Sequence, residues 1–351
     1  MARRPRACGF RIRASRRIAG AGDVTVDLVI TNGDAAGELL RRTLHGSEVL
    51  PWRDVLHEGP VPLTDTIEDL TAARVEYLAG AGGGEIGAIE FEFAARYRGL
   101  AVNGEFDRVM LWFEHDLYDQ LQLLQVLDWF AANPREPGTL LLVQVDDYIG
   151  RLEPEAISDL AATARPLSQA QLKLASHAWA ALRQPTPEAW AGLLKQDLSA
   201  LPFLRAAVIR MLEELPGPDG LSRTERQMLA TIEGGESVTA IALFIAVQKM
   251  EDAEFMGDWS FWKLLDGLAL AEEPLIAGLE AAPFNREDPE LAKAYATSRL
   301  TLTSLGKAVL AGGADWTEHH RVDRWWGGTH LTDDQLWRWD GEAETLIPPP
   351  H

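Results

Sequence analysis

A single cysteine, Cys8, stands among 351 residues, which excludes an internal disulfide framework and any multi-cysteine zinc or iron–sulfur site and suits a reducing compartment. Long apolar runs are also missing. The longest, Gly138 to Val145 and Thr239 to Val247, fall far short of the roughly 20 apolar residues that a bilayer-spanning helix needs. No membrane is expected among the partners, and the cytoplasm is the expected location. Positive charge is scarce: 33 Lys and Arg face 53 Asp and Glu, a net charge of −20. Seven of the arginines lie in residues 1–23 against one acid, Asp23, so the remaining chain is more acidic still. Nucleic-acid binding draws most of its affinity from Lys and Arg against phosphate. No basic patch follows residue 23, and nucleic acid is not an expected partner.

Residues 1–23 also lack the apolar centre of a secretory signal and any strand or helix periodicity. A translation start placed too far upstream, or a disordered tail, is the preferred reading over an organelle transit peptide. The segment, with Cys8 in it, is set aside from the fold, and a cysteine nucleophile is not expected.

The full chain has ordinary globular composition, 46% hydrophobic and 25% charged, and is long enough for two or three domains. Val24 to Thr31 is a β-branched strand that turns at Asn32-Gly33-Asp34 into a helix, with Asp34 expected as its N-cap. Glu48–Trp52 reads as a second strand and Asp107–Phe113 as a third. That strand runs into Glu114-His115-Asp116 and an amphipathic segment, Leu117–Ala132. Leu140–Val145 is a fourth strand, apolar enough to be buried on both faces. Alternating strands and helices imply a mostly parallel sheet flanked by helices over residues 24–150.

Residues 151–215 read as an all-helical region punctuated by prolines. The run Pro216-Gly217-Pro218-Asp219-Gly220 is a linker, and Ser222 with Glu225 forms a capping box that opens a new unit. Helices near 222–233, 238–251 and 258–269, then strands at Glu273–Leu279 and Ser298–Thr303 around a polar insertion, give a winged-helix-like order over residues 221–312. A tryptophan-rich tail, residues 313–351, is expected to pack on the chain's own body. Paired His319 and His320 are readable as a metal contact or, equally, as an exposed polar turn.

The blocks LVITNGDAAGELL, EVLPWRDVLHEGPVP and VMLWFEHDLYDQLQLLQVL together resemble the bacterial family catalogued as domain of unknown function 1835, over roughly residues 24–150. The resemblance implies the α/β fold and a bacterial origin, and it assigns no activity or catalytic residue.

In an open parallel sheet, ligands bind beyond the carboxyl ends of the strands. Those ends deliver Asn32, Gly33 and Asp34; Trp52, Arg53, Asp54, His57 and Glu58; and Glu114, His115, Asp116, Asp119 and Gln120. Asp34, His57, Glu58, Glu114, His115 and Asp116 are candidates for acid–base work, because a neighbouring carboxylate orients and charges an imidazole that titrates near neutrality. The same groups could hold a divalent metal. Asn32, Gly33, Trp52, Arg53, Asp54, Asp119 and Gln120 are candidate ligand-binding residues. Each has a purely structural reading as well: Asp34 as a cap, His57 and Glu58 as shapers of a Gly-Pro turn, Arg53 as an ion-pair partner of Asp54 or Glu58. HDLYD is not the HExxH of metalloproteases, and TNGDAAG matches neither nucleotide-binding glycine pattern.

Two functions compete. One is an enzyme or small-molecule binder at the strand ends. The other is a non-catalytic adaptor that binds a protein through the winged-helix-like unit and the tryptophan-rich tail. Residues 221–312 carry eight Lys or Arg against fourteen Asp or Glu, so DNA is not expected to bind there.

Overall fold

The computed structural model describes residues 26–235, 238–279 and 283–350, so the expectation about residues 1–23 lies outside it. The chain divides into two units. The first runs to Leu56 and continues over Thr64–His115 and Asp119–Ala180, and the second takes His57–Leu63, Asp116–Tyr118 and the chain from Ala181.

The first unit is built on a five-stranded sheet. Its strands are β1 (Asp27–Asn32), β2 (Glu48–Trp52), β3 (Arg108–Phe113), β4 (Leu140–Gln144) and β5 (Arg165–Pro166), in the order β2-β1-β3-β4-β5. The first four are parallel, as their helical connections require, and only β5 is antiparallel. Pro166 is tolerated because β5 is an edge strand.

Helix α1 (Asp34–Thr43) follows β1. Helices α2 (Ile67–Gly80) and α3 (Ile86–Ala101) link β2 to β3, α4 (Leu117–Ala132) links β3 to β4, and α5 (Pro154–Ala161) follows β4. On one face of the sheet Val29, Met110, Trp112, Leu141 and Val143 pack against Leu39 and Leu40 of α1 and Ile157 of α5. Helix α3 packs on β2, where a Cβ at Gly99 would stand 2.8 Å from Leu50 Cδ2. The amphipathic reading of Leu117–Ala132 needs correction. Leu121, Leu123, Leu124, Val126, Leu127 and Phe130 are all buried, together with Gln120, Gln122 and Gln125, so α4 is enclosed around most of its circumference.

The cap assignment also changes. Gly33, at φ +36°, holds the position before α1 with no side-chain cap, and Asp34 is the first helical residue. Glycine suits that left-handed turn, and Asp34 still favours the positive end of the helix dipole.

In the second unit, α7 (Glu188–Gly192) and α8 (Leu204–Leu212) follow the end of α6 (Gln169–Leu182). Ser222 and Glu225 form the expected capping box at the start of α9 (Arg223–Gly234). Next come β6 (Val238–Thr239), α10 (Ala240–Gln248), α11 (Asp258–Ala269), β7 (Ile276–Ala277), α12 (Pro289–Thr297), β8 (Arg299–Leu302) and α13 (Ser304–Leu310). The three strands pair antiparallel in the order β6-β8-β7. Helix α12 lies in what reads as a polar insertion. Pro289 and an Asp288 side chain that accepts from the N–H groups of Glu290 and Leu291 start it, and Tyr295 is its buried anchor.

The tail forms two hairpins, β9 (Asp323–Trp326) with β10 (Thr329–Thr332) and β11 (Arg338–Asp340) with β12 (Thr345–Ile347). They pack within their own unit. Trp326 Nε1 donates to the Met211 carbonyl at 2.7 Å, and the Trp339 N–H donates to Pro216 at 2.9 Å. No helix among the described residues is long and apolar enough to cross a membrane.

Candidate functional site at the strand ends

The chain leaves β1 toward β2 on one side and later enters β3 on the other, so the order β2-β1-β3-β4 reverses between β1 and β3. At such a switch point the connections diverge and open a crevice beyond the carboxyl ends of the two strands. Asn32 closes β1 there, and Glu114 follows β3 directly.

Glu114 is fixed from three sides. Its N–H donates to Asp119 Oδ1 at 2.7 Å, its carbonyl accepts from Gln120 Nε2 at 2.7 Å, and its Oε1 accepts from the Ile149 N–H at 2.7 Å. Asn32 Nδ2 donates to Asp119 Oδ2 at 2.5 Å. Asp119 and Gln120, in the first turn of α4, therefore clamp the Glu114 main chain. Burial pushes the Glu114 carboxyl above the usual carboxylate range, and the Asp147 charge adds to this; the Ile149 N–H, Asn32 and Arg151 only partly oppose it. A carboxyl tuned in this direction exchanges protons closer to neutrality, as a general acid or base must.

Thr31 and Trp112 are register partners on β1 and β3, and both are fully buried. Among the described residues, Thr31 Oγ1, Trp112 Nε1 and the neighbouring Asn32 Oδ1 meet no hydrogen-bond partner. Buried polar atoms are rarely left so, and a polar ligand, an ion or ordered water normally completes them. As a carboxamide oxygen Asn32 Oδ1 can only accept, while Nδ2 of the same side chain donates to Asp119.

Metal-ligating capacity lies on the same turn. One carboxylate oxygen each from Glu114, Asp116 and Asp119 falls within 4.8 Å of the others, a local arrangement of six consecutive residues. An all-oxygen set suits a hard divalent cation, Mg2+, Mn2+ or Ca2+, better than zinc. His115 is not part of it. Its ring lies tilted against that of Tyr148 at 5.3 Å, and the Arg151 guanidinium lies 4.2 Å from the centroid of the same Tyr148 ring.

The remaining candidates go elsewhere. Arg53 pairs with Asp34, donating from Nη2 at 2.5 Å and from Nε at 3.1 Å to Oδ1. Trp52 donates from Nε1 to Gln125 Oε1 at 2.9 Å, and the Arg96 guanidinium lies 4.2 Å over its ring. Asp54 is fully buried, 2.7 Å from Arg74 Nη2 and 3.7 Å from Arg96 Nη2, which makes it a structural anchor. His57 and Glu58 belong to the second unit. His57 contacts the Phe255 ring at 5.1 Å. Glu58 accepts from Ser260 Oγ at 2.7 Å and from Lys263 Nζ at 2.9 Å. Burial raises the Glu58 carboxyl, but Lys263, His57 and the Ser260 hydroxyl outweigh it and hold the group below its ordinary range. His319 turns to Glu273 at 3.3 Å while His320 stacks on Trp316, so the pair does not converge.

Sequence reasoning passed over Asp147, Tyr148, Ile149 and Arg151, which follow β4. The strand-end rule applied to the fourth strand would have found them. Thr31 and Trp112 were hidden because they read only as core. No protein-family model matches this chain, and no curated protein matches it either.

Proposed function

We propose that this chain is a small-molecule-binding protein or enzyme that works at the carboxyl ends of β1 and β3, with Glu114 as its acid–base group. The observation that carries this reading is a buried Glu114, held above the usual carboxylate range beside the unpartnered Asn32 Oδ1 at the switch point. Asp119, Gln120 and Asn32 position Glu114, and Arg151 supplies a cation for an anionic group of the substrate. A hard divalent cation is the first ligand to test, since it would relieve the repulsion among Glu114, Asp116 and Asp119. Membership of the bacterial family resembled by the front blocks belongs to the same proposal.

Thermal-shift titration of the wild-type chain and of Glu114→Gln tests it, with Mg2+, Mn2+ or Ca2+ alone and then with phosphates, nucleotides, sugars and carboxylic acids. A ligand that stabilises the wild type and not Glu114→Gln supports the site. Equal shifts in both proteins, or none with any ligand, overturn it.

The adaptor reading keeps one supporting observation. Ile241 and Ile245, one turn apart on α10 of the winged-helix-like unit, are 40% and 49% exposed. The tail supports it less, because Trp316, Trp326, Trp337 and Trp339 are buried. A protein partner on α10 predicts that Ile241→Ser with Ile245→Ser removes a copurifying protein or changes the association state, while ligand-linked stabilisation at the strand ends is untouched.

A further inference from the structure

Away from the strand ends, α2 and α3 enclose a groove of about 430 Å³, within the range that takes a small organic molecule. Its walls are Ile67, Ala72 and Val75 of α2 and Ile86 and Ala94 of α3, with Tyr97 beside them. The charged residues that line it, Glu68, Glu76 and Glu90, are all acidic. Among the described residues no lysine or arginine lines it, although α2 and α3 carry Arg74, Arg96 and Arg98.

The groove is preformed. The Tyr97 hydroxyl accepts from Arg96 Nη2 at 3.2 Å and from Gln125 Nε2 at 3.4 Å, and the ring meets Trp52 edge-on at 5.7 Å. Tyr97 therefore cannot swing across to fill the space. Ile86, at the rim, leaves 54% of its surface in water, an apolar surface that a ligand would cover.

From the apolar walls and the single sign of charge around them we infer that the α2–α3 groove binds a small organic cation: an apolar body seated between the helices, with its ammonium group drawn to the acidic rim along which Glu68, Glu76 and Glu90 lie. The apolar body supplies affinity by burial, and the glutamates select the charge. The inference is independent of the site at Glu114.

Titration calorimetry of the full chain with three probes of equal length tests it: octyltrimethylammonium, octanol and octyl sulfate, each below its micelle concentration. The expected order is ammonium first, about tenfold tighter than the alcohol, with octyl sulfate weakest. Glu76→Gln with Glu90→Gln, both exposed, should remove most of that preference, raise the salt-independent fraction of binding and leave octanol unchanged. Ala72→Trp should block all three probes, with circular dichroism confirming the fold. Equal binding of the three probes, preference for octyl sulfate, or no binding at millimolar concentration overturns the inference. So does a dimer in sedimentation that Ala72→Trp dissociates, since that assigns the groove to a second copy of the chain.

Discussion

Asp54 is the anchor whose removal tests the packing of the first unit most sharply. Its carboxylate, Arg74 and Arg96 are exposed by 0%, 0% and 3%, so neither guanidinium can turn to water when the acid is lost. Breaking a buried ion pair from one side costs about 3–5 kcal/mol, because a charge is left without compensation. Arg96 retains its rings and the Arg53 carbonyl, and Arg74 retains the Val55 carbonyl, which places Asp54→Ala toward the lower end of that range. For a unit of this size such a loss lowers the melting temperature by roughly 6–20 °C. Urea denaturation followed by circular dichroism and tryptophan fluorescence measures it. Replacing Asp54 and Arg74 together with apolar residues of similar volume should destabilise less than Asp54→Ala, since one uncompensated charge leaves with the carboxylate. A loss below about 1 kcal/mol for Asp54→Ala, or a double variant worse than the sum of its single changes, would refute the assignment of Asp54 as an anchor.

Other consequences concern single sites. Glu114 has a folded pKa above its unfolded value, so its contribution to stability is complete below the unfolded pKa near 4.5 and is lost as pH rises through the folded pKa. Without ligand and with chelator present, the stability of Glu114→Gln relative to the wild type should therefore rise as pH increases from about 4.5 through the folded pKa of Glu114; a difference that stays constant with pH contradicts the burial argument. Trp326→Ala removes a buried ring and the hydrogen bond to Met211, and is expected to cost about 3–5 kcal/mol by chemical denaturation, whereas a mobile tail predicts almost none. Gly278, at φ +102°, has no room for a Cβ against the Arg299 carbonyl, so Gly278→Ala should lower stability by more than about 1–3 kcal/mol and speed amide exchange in β7 and β8.

The sheet was legible because its strands are apolar runs bounded by Gly, Asp and Asn, and parallel pairing follows from helical connections. The four parallel strands appear within a few residues of the ranges their hydrophobicity indicates. Two kinds of information were not local enough to read. Helix α12 announces itself by Asp288 and Pro289 and has little apolar periodicity, so its segment reads as a polar insertion. The fates of polar side chains depend on partners remote in the chain: Asp54 meets arginines at positions 74 and 96, and Glu58 meets Ser260 and Lys263. Of the candidate site, Asn32, Glu114, Asp116 and Asp119 were readable from the strand-end rule, and the structure brings them together. His57 and Glu58 follow β2 only in sequence, since five residues of chain suffice to carry them into another unit.

The central claim is that Glu114 is the titrating and ligand-binding group of a strand-end site. Carbon-13 NMR of the glutamate side-chain carboxyls, with the Glu114 signal identified by its absence in Glu114→Gln, reads it directly. The Glu114 carboxyl is expected to titrate above the ordinary glutamate value of about 4.5 in the free protein and to be brought down when Mg2+ or Ca2+ is added. A Glu114 carboxyl that titrates at or below the ordinary value and does not respond to either cation would contradict it.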